Sequence, residues 1–178
     1  MKHLYIVGGA MGVGKTAVGR ELLKALPHCA FLDGDWCWTA DPFTDTPQTR
    51  EMAMANACFL LNGFLRCSAY DNIVFCWVLH EQRIIDELLS RLELEGCEVR
   101  SASLVCSEEA LVERLRRDIA AGVRSEDIVR RSVARLPMYG ALNTLKLDVT
   151  RMAPAEAARA LIAAFDSVAE GGLPDAPR

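Results

Sequence analysis

Residues 8–20 read GGAMGVGKTAVGR, and this glycine-rich stretch decides the fold. A short apolar run, residues 4–7, precedes it, and apolar residues recur at helical spacing after it, from Val18 to Leu26. A strand, a glycine loop and a helix in this order form a unit that binds phosphates or dinucleotides at the helix N-terminus. The glycines fit both the phosphate-binding and the dinucleotide-binding pattern, so other features of the loop distinguish the two.

The length of the loop separates the two patterns. Starting at Gly12, the sequence GVGKTA fits the dinucleotide pattern G-x-G-x-x-G/A, and Asp33 stands where an acid would bind the ribose. Starting at Gly9, the sequence GAMGVGKT fits the complete phosphate-loop pattern G-x-x-x-x-G-K-[ST]. A dinucleotide fold places its first glycine directly after the strand, whereas here residues 8–11 intervene before Gly12. A Lys-Thr pair also suits a phosphate loop, in which the lysine reaches the β and γ phosphates and the threonine binds magnesium. We therefore predict ATP and Mg²⁺ as cofactors, with nucleotide contacts from Gly9, Gly12, Val13, Gly14, Lys15, Thr16 and Ala17.

Composition narrows the class of protein. The chain has 178 residues, 51% of them hydrophobic, which predicts one domain over 1–170 and a disordered tail over 171–178. Its longest apolar run, 73–79, is far shorter than the ~20 residues of a membrane helix, and no signal-like segment begins the chain, so we expect a cytoplasmic protein without membrane contact. The net charge of −4 argues against general nucleic-acid binding, and seven cysteines without a C-x-x-C pair indicate reduced thiols.

Strand and helix patterns alternate along the chain. Strands are predicted at 4–7, 29–32, 72–79, 99–105 and 145–149, with 72–79 as a buried central strand. Helices are predicted at 18–26, 48–69, 84–92 with Gly96 closing it, 108–121, 126–136 with Ser125 as N-cap, and from Pro154 onward. On the helix 48–69 we expect Met52, Ala55, Phe59, Leu60 and Gly63 to face inward. This order predicts an α/β fold with a five-stranded parallel sheet, helices on both faces and ligands at the carboxyl ends of the strands.

A second motif, FLDGDWCW at 31–38, follows the second predicted strand. Asp33 and Asp35 are two residues apart, so in extended geometry both carboxylates point to one side, above the phosphate loop. Two carboxylates beside Mg-ATP suit magnesium ligation and the alignment of an acceptor hydroxyl. An ordinary Asp-Gly turn is the alternative interpretation.

With GGAMGVGKT, LDGD and seven arginines between 114 and 135, the chain resembles the small P-loop kinases, namely shikimate, gluconate and adenylylsulfate kinases, chloramphenicol phosphotransferase and, more distantly, nucleoside monophosphate kinases. The resemblance implies a three-layer P-loop NTPase fold with an arginine-rich lid between the fourth and fifth strands. It also implies residue roles: Thr16 and Asp33 for the metal, Lys15, Asp35 and Arg124 for catalysis, Arg114, Arg117 and Pro154 for ATP. Arg130, Arg131 and Arg135 are assigned to a solvated face.

The acceptor site is expected between the second and third strands. His80-Glu81 is expected at the end of the third strand, where many P-loop proteins have a Walker B aspartate, so magnesium would depend on Thr16 and Asp33. The candidates for contacting the acceptor are Asp35, Trp36, Arg50, Asn56 and His80. Except for Asp35, each has a structural alternative: Trp36 packs, Arg50 is solvated, Asn56 binds backbone and His80 is a structural hydrogen-bonding residue.

Together these features predict a kinase that transfers the γ-phosphoryl group of Mg-ATP to a hydroxyl of a small molecule or to a nucleotide. A regulatory GTPase or switch ATPase is an alternative, but residues 80–83 read HEQR instead of D-x-x-G and no N-K-x-D is found near the fifth strand. A nicotinamide-dependent oxidoreductase is weakened by the loop length, by Lys15-Thr16 and by the absence of a second substrate domain. The acceptor and the oligomeric state are not determined by the sequence.

Overall fold

The computed structural model of the protein describes residues 1–122 and 127–171 and shows an α/β fold. The strands are β1 (Lys2–Gly9), β2 (Cys29–Asp33), β3 (Asn72–Cys76), β4 (Cys97–Val105) and β5 (Leu145–Asp148). They form one sheet in the order β2-β3-β1-β4-β5, in which all neighbours are parallel. The predicted fold class, a five-stranded parallel sheet flanked by helices, is confirmed.

The helices connect successive parallel strands. They are α1 (Lys15–Ala25), α2 (Pro47–Arg66), α3 (Gln82–Ser90), α4 (Glu108–Ala120), α5 (Asp127–Arg135) and α6 (Pro154–Gly171), with short 3₁₀ helices at Gly34–Cys37 and Leu136–Ala141. Within 1–122 and 127–171, none of these helices combines the length and the apolar character that crossing a membrane requires. The predicted N-cap Ser125, the lid residue Arg124 and the tail beyond Gly171 lie outside the described residues.

Strand β1 occupies the middle of the sheet, and its residues 4–9 are all buried. A strand with neighbours on both edges and helices on its faces needs a continuous apolar sequence, which LYIV supplies. The prediction that the third strand is the central one is therefore wrong, although β3 is interior and all its residues are buried. Because β1 runs directly into residues 8–14, the glycine loop begins at the carboxyl edge in the centre of the sheet.

Strand β3 is also shorter than predicted. It ends at Cys76 rather than Leu79, although the apolar run continues beyond it. Leu79 adopts a left-handed backbone conformation (φ 39°), which is uncommon for a non-glycine residue and turns the chain towards α3. The residue that pairs with both Asp33 of β2 and Val7 of β1 is therefore Cys76. His80-Glu81 lies four residues beyond the strand end, so its predicted place at a Walker B position is wrong.

Helix α2 buries a different face from the one predicted. Met52 is 44% exposed, Phe59 77% and Leu60 40%, and Ala55 and Gly63 are exposed as well. The buried residues are Ala53, Met54, Ala57, Cys58, Leu61 and Leu65. Both sets are apolar and both have helical spacing, so periodicity alone does not determine which of them faces the sheet.

Helix α3 ends before the predicted glycine. Its last residue is Ser90, and Arg91 forms the C-cap while binding the carboxylates of Glu51 and Glu87. Gly96 has a φ of 69° and belongs to the turn before β4 instead. The charged contacts of Arg91 give the helix an end that hydrophobic spacing does not reveal.

Candidate active site

The glycine loop joins β1 to the N-terminus of α1. Gly14 is the N-cap of α1, with a φ of 108°, and a Cβ at this position would have open space around it. The side chain of Lys15 turns back over the loop, where its Nζ donates a hydrogen bond to the carbonyl oxygen of Ala10 at 3.0 Å. Free N–H groups at a helix N-terminus and an adjacent lysine create a positive environment that favours phosphate oxygens.

The loop is packed tightly against α4. Gly12 has a φ of 82°, and a Cβ at this position would lie 2.5 Å from Cδ2 and 2.8 Å from Cγ of Leu115, a fully buried residue. Only glycine meets both the backbone requirement and the steric one. The loop conformation therefore depends on α4 as well as on its own sequence.

A cleft of about 410 Å³ lies over the glycine loop. Its lining residues are Met11, Gly12, Gly14, Lys15, Thr16, Ala17, Asp35, Arg114, Arg117 and Asp118. The cleft thus brings five of the seven loop residues predicted to bind the nucleotide next to one of the two aspartates and two of the predicted lid arginines. The predicted site residues that do not line it are Gly9, Val13, Asp33, Trp36, Arg50, Asn56, His80 and Pro154.

The two aspartates have different environments. Asp33 is 4% exposed; its Oδ2 accepts a 2.5 Å hydrogen bond from the hydroxyl of Thr16, and its Oδ1 accepts one from the backbone N–H of Asp35 at 3.0 Å. Asp35 is exposed and lines the cleft. The predicted extended geometry is wrong, because a 3₁₀ helix begins at Gly34, directly against the indole of Trp77. The turn separates a buried, fixed carboxylate from one that faces the cleft.

Thr16, in the first turn of α1, and Asp33, at the end of β2, fit a magnesium ion. The Thr16 hydroxyl and the Asp33 carboxylate are hydrogen-bonded to each other beside the loop, and both supply the hard oxygen donors that Mg²⁺ prefers. Among the described residues, no group of three His, Cys, Asp or Glu side chains forms a cage of its own. A site with few protein ligands suits magnesium that is held largely by phosphates and water.

Cys76 is the β3 residue closest in register to these ligands. Its thiol is fully buried, and burial, together with the negative charge of Asp33, raises its pKa far above the ordinary value. A neutral thiol supplies no charge for magnesium at this strand end. Asp33 is therefore the carboxylate that the described strand ends offer to a metal beside Thr16.

Arg114 holds three backbone segments together. Its guanidinium donates hydrogen bonds to the carbonyl oxygens of Val13 at 3.0 Å, Val149 at 2.6 Å and Thr150 at 3.2 Å. It thereby connects α4 to the glycine loop and to the loop between β5 and α6, which ends at the exposed Pro154. Its bonds to carbonyls give it a structural role in addition to the predicted contact with ATP.

Arg117 lies one helical turn beyond Arg114, at the rim of the cleft. Its side chain is 70% exposed and forms an ion pair with Glu113 on the same helix. An exposed pair of this kind contributes little to stability and is easily exchanged for another anion. Arg117 can therefore exchange this partner without loss of packing, whereas Arg124 lies outside the described residues.

Three of the predicted acceptor contacts show their partners clearly. Asn56 donates a hydrogen bond from Nδ2 to the carbonyl oxygen of Cys37 at 3.1 Å, which corresponds to the backbone alternative. Arg50 forms two hydrogen bonds with Asp45, at 2.6 and 3.1 Å. Trp36 is 53% exposed and contacts the ring of Phe31 edge-on, with centroids 5.4 Å apart. Asn56 thus supports the turn that carries Asp35, and Trp36 leaves half of its surface open.

His80 combines a buried ring with an unsatisfied nitrogen. Its Nε2 lies 3.3 Å from Oε1 of Glu81, while its Nδ1 is buried without a hydrogen-bond partner among the described residues. Burial lowers the pKa of His80 from its ordinary value of 6.5, and the positive charge of Arg135 lowers it further. Sequence reasoning assigned Arg135 to a solvated face and missed its proximity to this histidine, because no motif connects the two residues.

Comparison with known proteins agrees with this geometry. The family model AAA_18, described as an AAA domain, matches residues 6–133, and no curated protein matches the chain. The solved structures that the chain resembles include a gluconokinase from Sinorhizobium meliloti 1021 (22% identity, TM-score 0.69, 94% of each chain covered) and a tunicamycin resistance protein from Deinococcus radiodurans (20%, 0.66, 100% of each). A shikimate kinase from Acinetobacter baumannii is similar as well (19%, 0.60, 94% of each). The predicted resemblance to small P-loop kinases is confirmed, and the chain, with the fold of these kinases, belongs to the AAA_18 family of AAA domains.

Proposed function

We propose that the protein is an ATP-dependent kinase that transfers the γ-phosphoryl group of Mg-ATP to a hydroxyl of a small molecule or to a nucleotide. The observation that supports this best is the cleft in which the exposed carboxylate of Asp35 stands beside Lys15 and the glycine loop. A kinase needs a carboxylate there to align and deprotonate its acceptor.

The charge on the phosphates is balanced by the glycine loop. Backbone N–H groups at the start of α1 bind the phosphate oxygens, and Lys15 leaves its contact with Ala10 to bind the β and γ phosphates. Thr16 and Asp33 would hold the magnesium ion through their oxygen donors. When bound, magnesium neutralises charge that develops on the phosphoryl oxygens.

Asp35 carries out the proton step. The acceptor hydroxyl attacks the γ phosphorus and gives its proton to the Asp35 carboxylate, while the bond from phosphorus to the β–γ bridging oxygen breaks and ADP leaves. The turn at Gly34–Cys37 presents Asp35, and the hydrogen bond from Asn56 to Cys37 keeps that turn in place. Arg117 then neutralises the transferring group from the rim of the cleft, with Arg124 assigned to the same task by the resemblance alone, and Pro154 packs on the base.

Amide substitutions test the separate roles of the two aspartates. In Asp35→Asn, Mg-ATP binding is retained and acceptor-dependent ADP release falls by about 10²–10⁴-fold, because the base is lost. In Asp33→Asn, a fluorescent ATP analogue requires more magnesium to bind, which can be measured without turnover. Asp86→Asn, the same change at an exposed helix residue away from the cleft, serves as the matched control and leaves both readouts unchanged.

The assay for transfer uses a panel of hydroxyl-bearing metabolites, antibiotics and nucleoside monophosphates. Lys15→Ala lowers acceptor-dependent ADP release by about 100-fold or more, through loss of a fixed positive charge at the transferring phosphoryl group. Undiminished turnover in Lys15→Ala, or full transfer in Asp35→Asn, contradicts the kinase mechanism.

A further inference from the structure

Helix α2 is apolar on the face turned to solvent as well as on the face turned to the sheet. Residues 52–65 read MAMANACFLLNGFL, a run without a charged side chain. A surface helix normally carries polar residues on its outer face, and a helix that is apolar all round is normally buried. The outer face of α2, which consists of the exposed residues Met52, Ala55, Phe59, Leu60 and Gly63, therefore has the composition of a covered surface.

This outer face is separate from the cleft over the glycine loop, because none of its residues is among those that line the cleft. Asn56, at one border of the face, donates a hydrogen bond to the carbonyl oxygen of Cys37. Asn62, at the other border, donates one to the carbonyl oxygen of Arg91 and accepts one from the N–H of Glu93. Neighbouring segments thus hold both flanks of the helix, and the apolar face between them points away from the domain.

The shape of the outer face is suited to pairing with an identical face. Phe59 is 77% exposed and projects from the middle of the helix. One turn before it stands Ala55, and one turn after it stands Gly63, where a Cβ would have open space around it. When two such faces meet antiparallel across a two-fold axis, the ring of each copy can lie over a small residue of the other.

Opposite charges border the face at its two ends. Glu51 lies in the second turn of α2 and Arg66 is its last residue, with side chains 58% and 62% exposed. Each already has a partner in its own chain, Arg91 and Glu93 respectively, but exposed pairs of this kind are readily shared. Antiparallel helices bring each glutamate to the arginine of the other copy and each helix N-terminus to the other C-terminus, whereas parallel helices bring like charges together.

The exposed surface is large enough for a two-fold interface. Phe59, Met52, which is 44% exposed, and Leu60, which is 40% exposed, contribute most of about 400 Å² of apolar surface on each copy. The polar residues along the borders bring the face to about 700 Å², close to the ~800 Å² that each partner buries in a standard interface. An interface of this size, without further anchors, corresponds to a reversible dimer with a Kd of about 1–100 µM.

We propose that the outer face of α2 binds a second copy of the chain, with the two α2 helices antiparallel across a two-fold axis. Phe59 of each copy packs over Ala55 or Gly63 of the other, and Glu51 of each copy pairs with Arg66 of the other. The interface is independent of the kinase function proposed above, because it uses none of the residues assigned to the nucleotide, the metal or the acceptor.

The test is sedimentation velocity of the full chain at concentrations from about 1 to 300 µM, a range that brackets the expected Kd. The wild-type protein changes from a 19.6 kDa monomer to a dimer as the concentration rises. Phe59→Asp raises the Kd by about 100-fold or more, because it removes the central apolar contact and buries a charge in each copy. Met52→Asp, on the same face, raises it as well and serves as a second variant. Leu23→Asp, at a 38% exposed apolar residue of α1, is the matched control and keeps the wild-type Kd.

A charge exchange tests the antiparallel orientation. Arg66→Glu, at low salt, raises the Kd by about 3- to 10-fold, because each exposed end then carries two glutamates. The double variant Glu51→Arg/Arg66→Glu restores affinity, since opposite charges meet again at both ends. Circular dichroism and Tm show that every variant is folded before its association is compared.

Three results overturn the proposal. The first is a wild-type protein that remains a monomer at every concentration. The second is a dimer that Phe59→Asp and Met52→Asp, both folded, leave at the wild-type Kd, which assigns dimerisation to another surface. The third is a monomer that binds phosphatidylcholine vesicles and loses this binding in Phe59→Asp, which assigns the face to a lipid surface instead. A double variant that dimerises more weakly than Arg66→Glu refutes the antiparallel arrangement.

Discussion

The substitution Gly12→Ala tests whether α4 fixes the conformation of the phosphate loop. The added Cβ lies 2.5 Å from Cδ2 and 2.8 Å from Cγ of Leu115, which is fully buried. Overpacking of this kind costs about 1–3 kcal/mol. The positive φ of 82° adds about 1–2 kcal/mol for a residue with a Cβ.

The expected loss in the free energy of unfolding is therefore about 2–5 kcal/mol, which corresponds to a fall in Tm of about 4–20 °C for a chain of this size. Urea denaturation and thermal unfolding both measure it. Gly63→Ala is the matched control, since Gly63 lies on the exposed face of α2 with open space around its Cβ position. That change gains about 0.5–1 kcal/mol, because alanine is the better residue within a helix.

A double substitution tests the cause. Leu115→Ala alone costs about 2–5 kcal/mol by leaving a cavity. If the clash is the reason for the loss in Gly12→Ala, the double variant Gly12→Ala/Leu115→Ala is more stable than the sum of the two single changes by about 1–3 kcal/mol. A Gly12→Ala protein within about 0.5 kcal/mol of wild type refutes the packing argument, and strict additivity refutes the assignment to Leu115.

Two further predictions concern stability. Arg114→Met removes the hydrogen bonds to Val13, Val149 and Thr150 and lowers the free energy of unfolding by about 2–4 kcal/mol. Arg117→Met, at an exposed residue of the same helix, is the control and leaves the urea midpoint nearly unchanged. Equal shifts of the urea midpoint in the two variants contradict the bridging role of Arg114. Because burial lowers the pKa of His80 below its ordinary 6.5, the unfolded chain takes up a proton there before the native state does, so stability is lost as the pH falls from 6.5 towards the native pKa. Between neutral pH and acid pH, the His80→Asn variant therefore loses less stability than the wild-type protein. If Tm depends on pH in the same way in the variant and the wild type, the contribution of His80 is contradicted.

The parts of the fold and site that fixed-spacing motifs encode were predictable from the sequence. The loop over residues 9–16 was placed between its strand and helix because glycine, lysine and threonine have separate tasks at set positions. The structure places Asp35 among the residues that line the cleft over this loop. The residue types of such a motif stand at fixed spacing in the sequence, although α4 also contributes to the conformation of the loop.

Features set by tertiary packing were not predictable. α2 is apolar around most of its circumference, so its buried face depends on the sheet it meets, and β3 ends at Cys76 because the ladder stops there, although the apolar run does not. The surroundings of Arg135 also depend on the fold, since the charges that it influences, on His80, Asp45 and Glu81, come from other parts of the chain. The sequence of a basic stretch does not show which of its arginines are exposed to solvent and which lie beside other charged groups.

The contacts of α4 connect the phosphate loop to the rim of the cleft. Leu115 packs on Gly12, and Arg114 binds the carbonyl of Val13, so the helix touches the phosphate loop at two successive residues of each. Arg114 also holds the loop before Pro154, which lies on the side proposed for the base. The phosphate loop, α4 and the β5–α6 loop are therefore connected by direct contacts, and Arg117 belongs to the same helix. We expect nucleotide binding to change the partner of Arg117, because its exposed ion pair with Glu113 is weak and a phosphate can replace the glutamate without disturbing the helix.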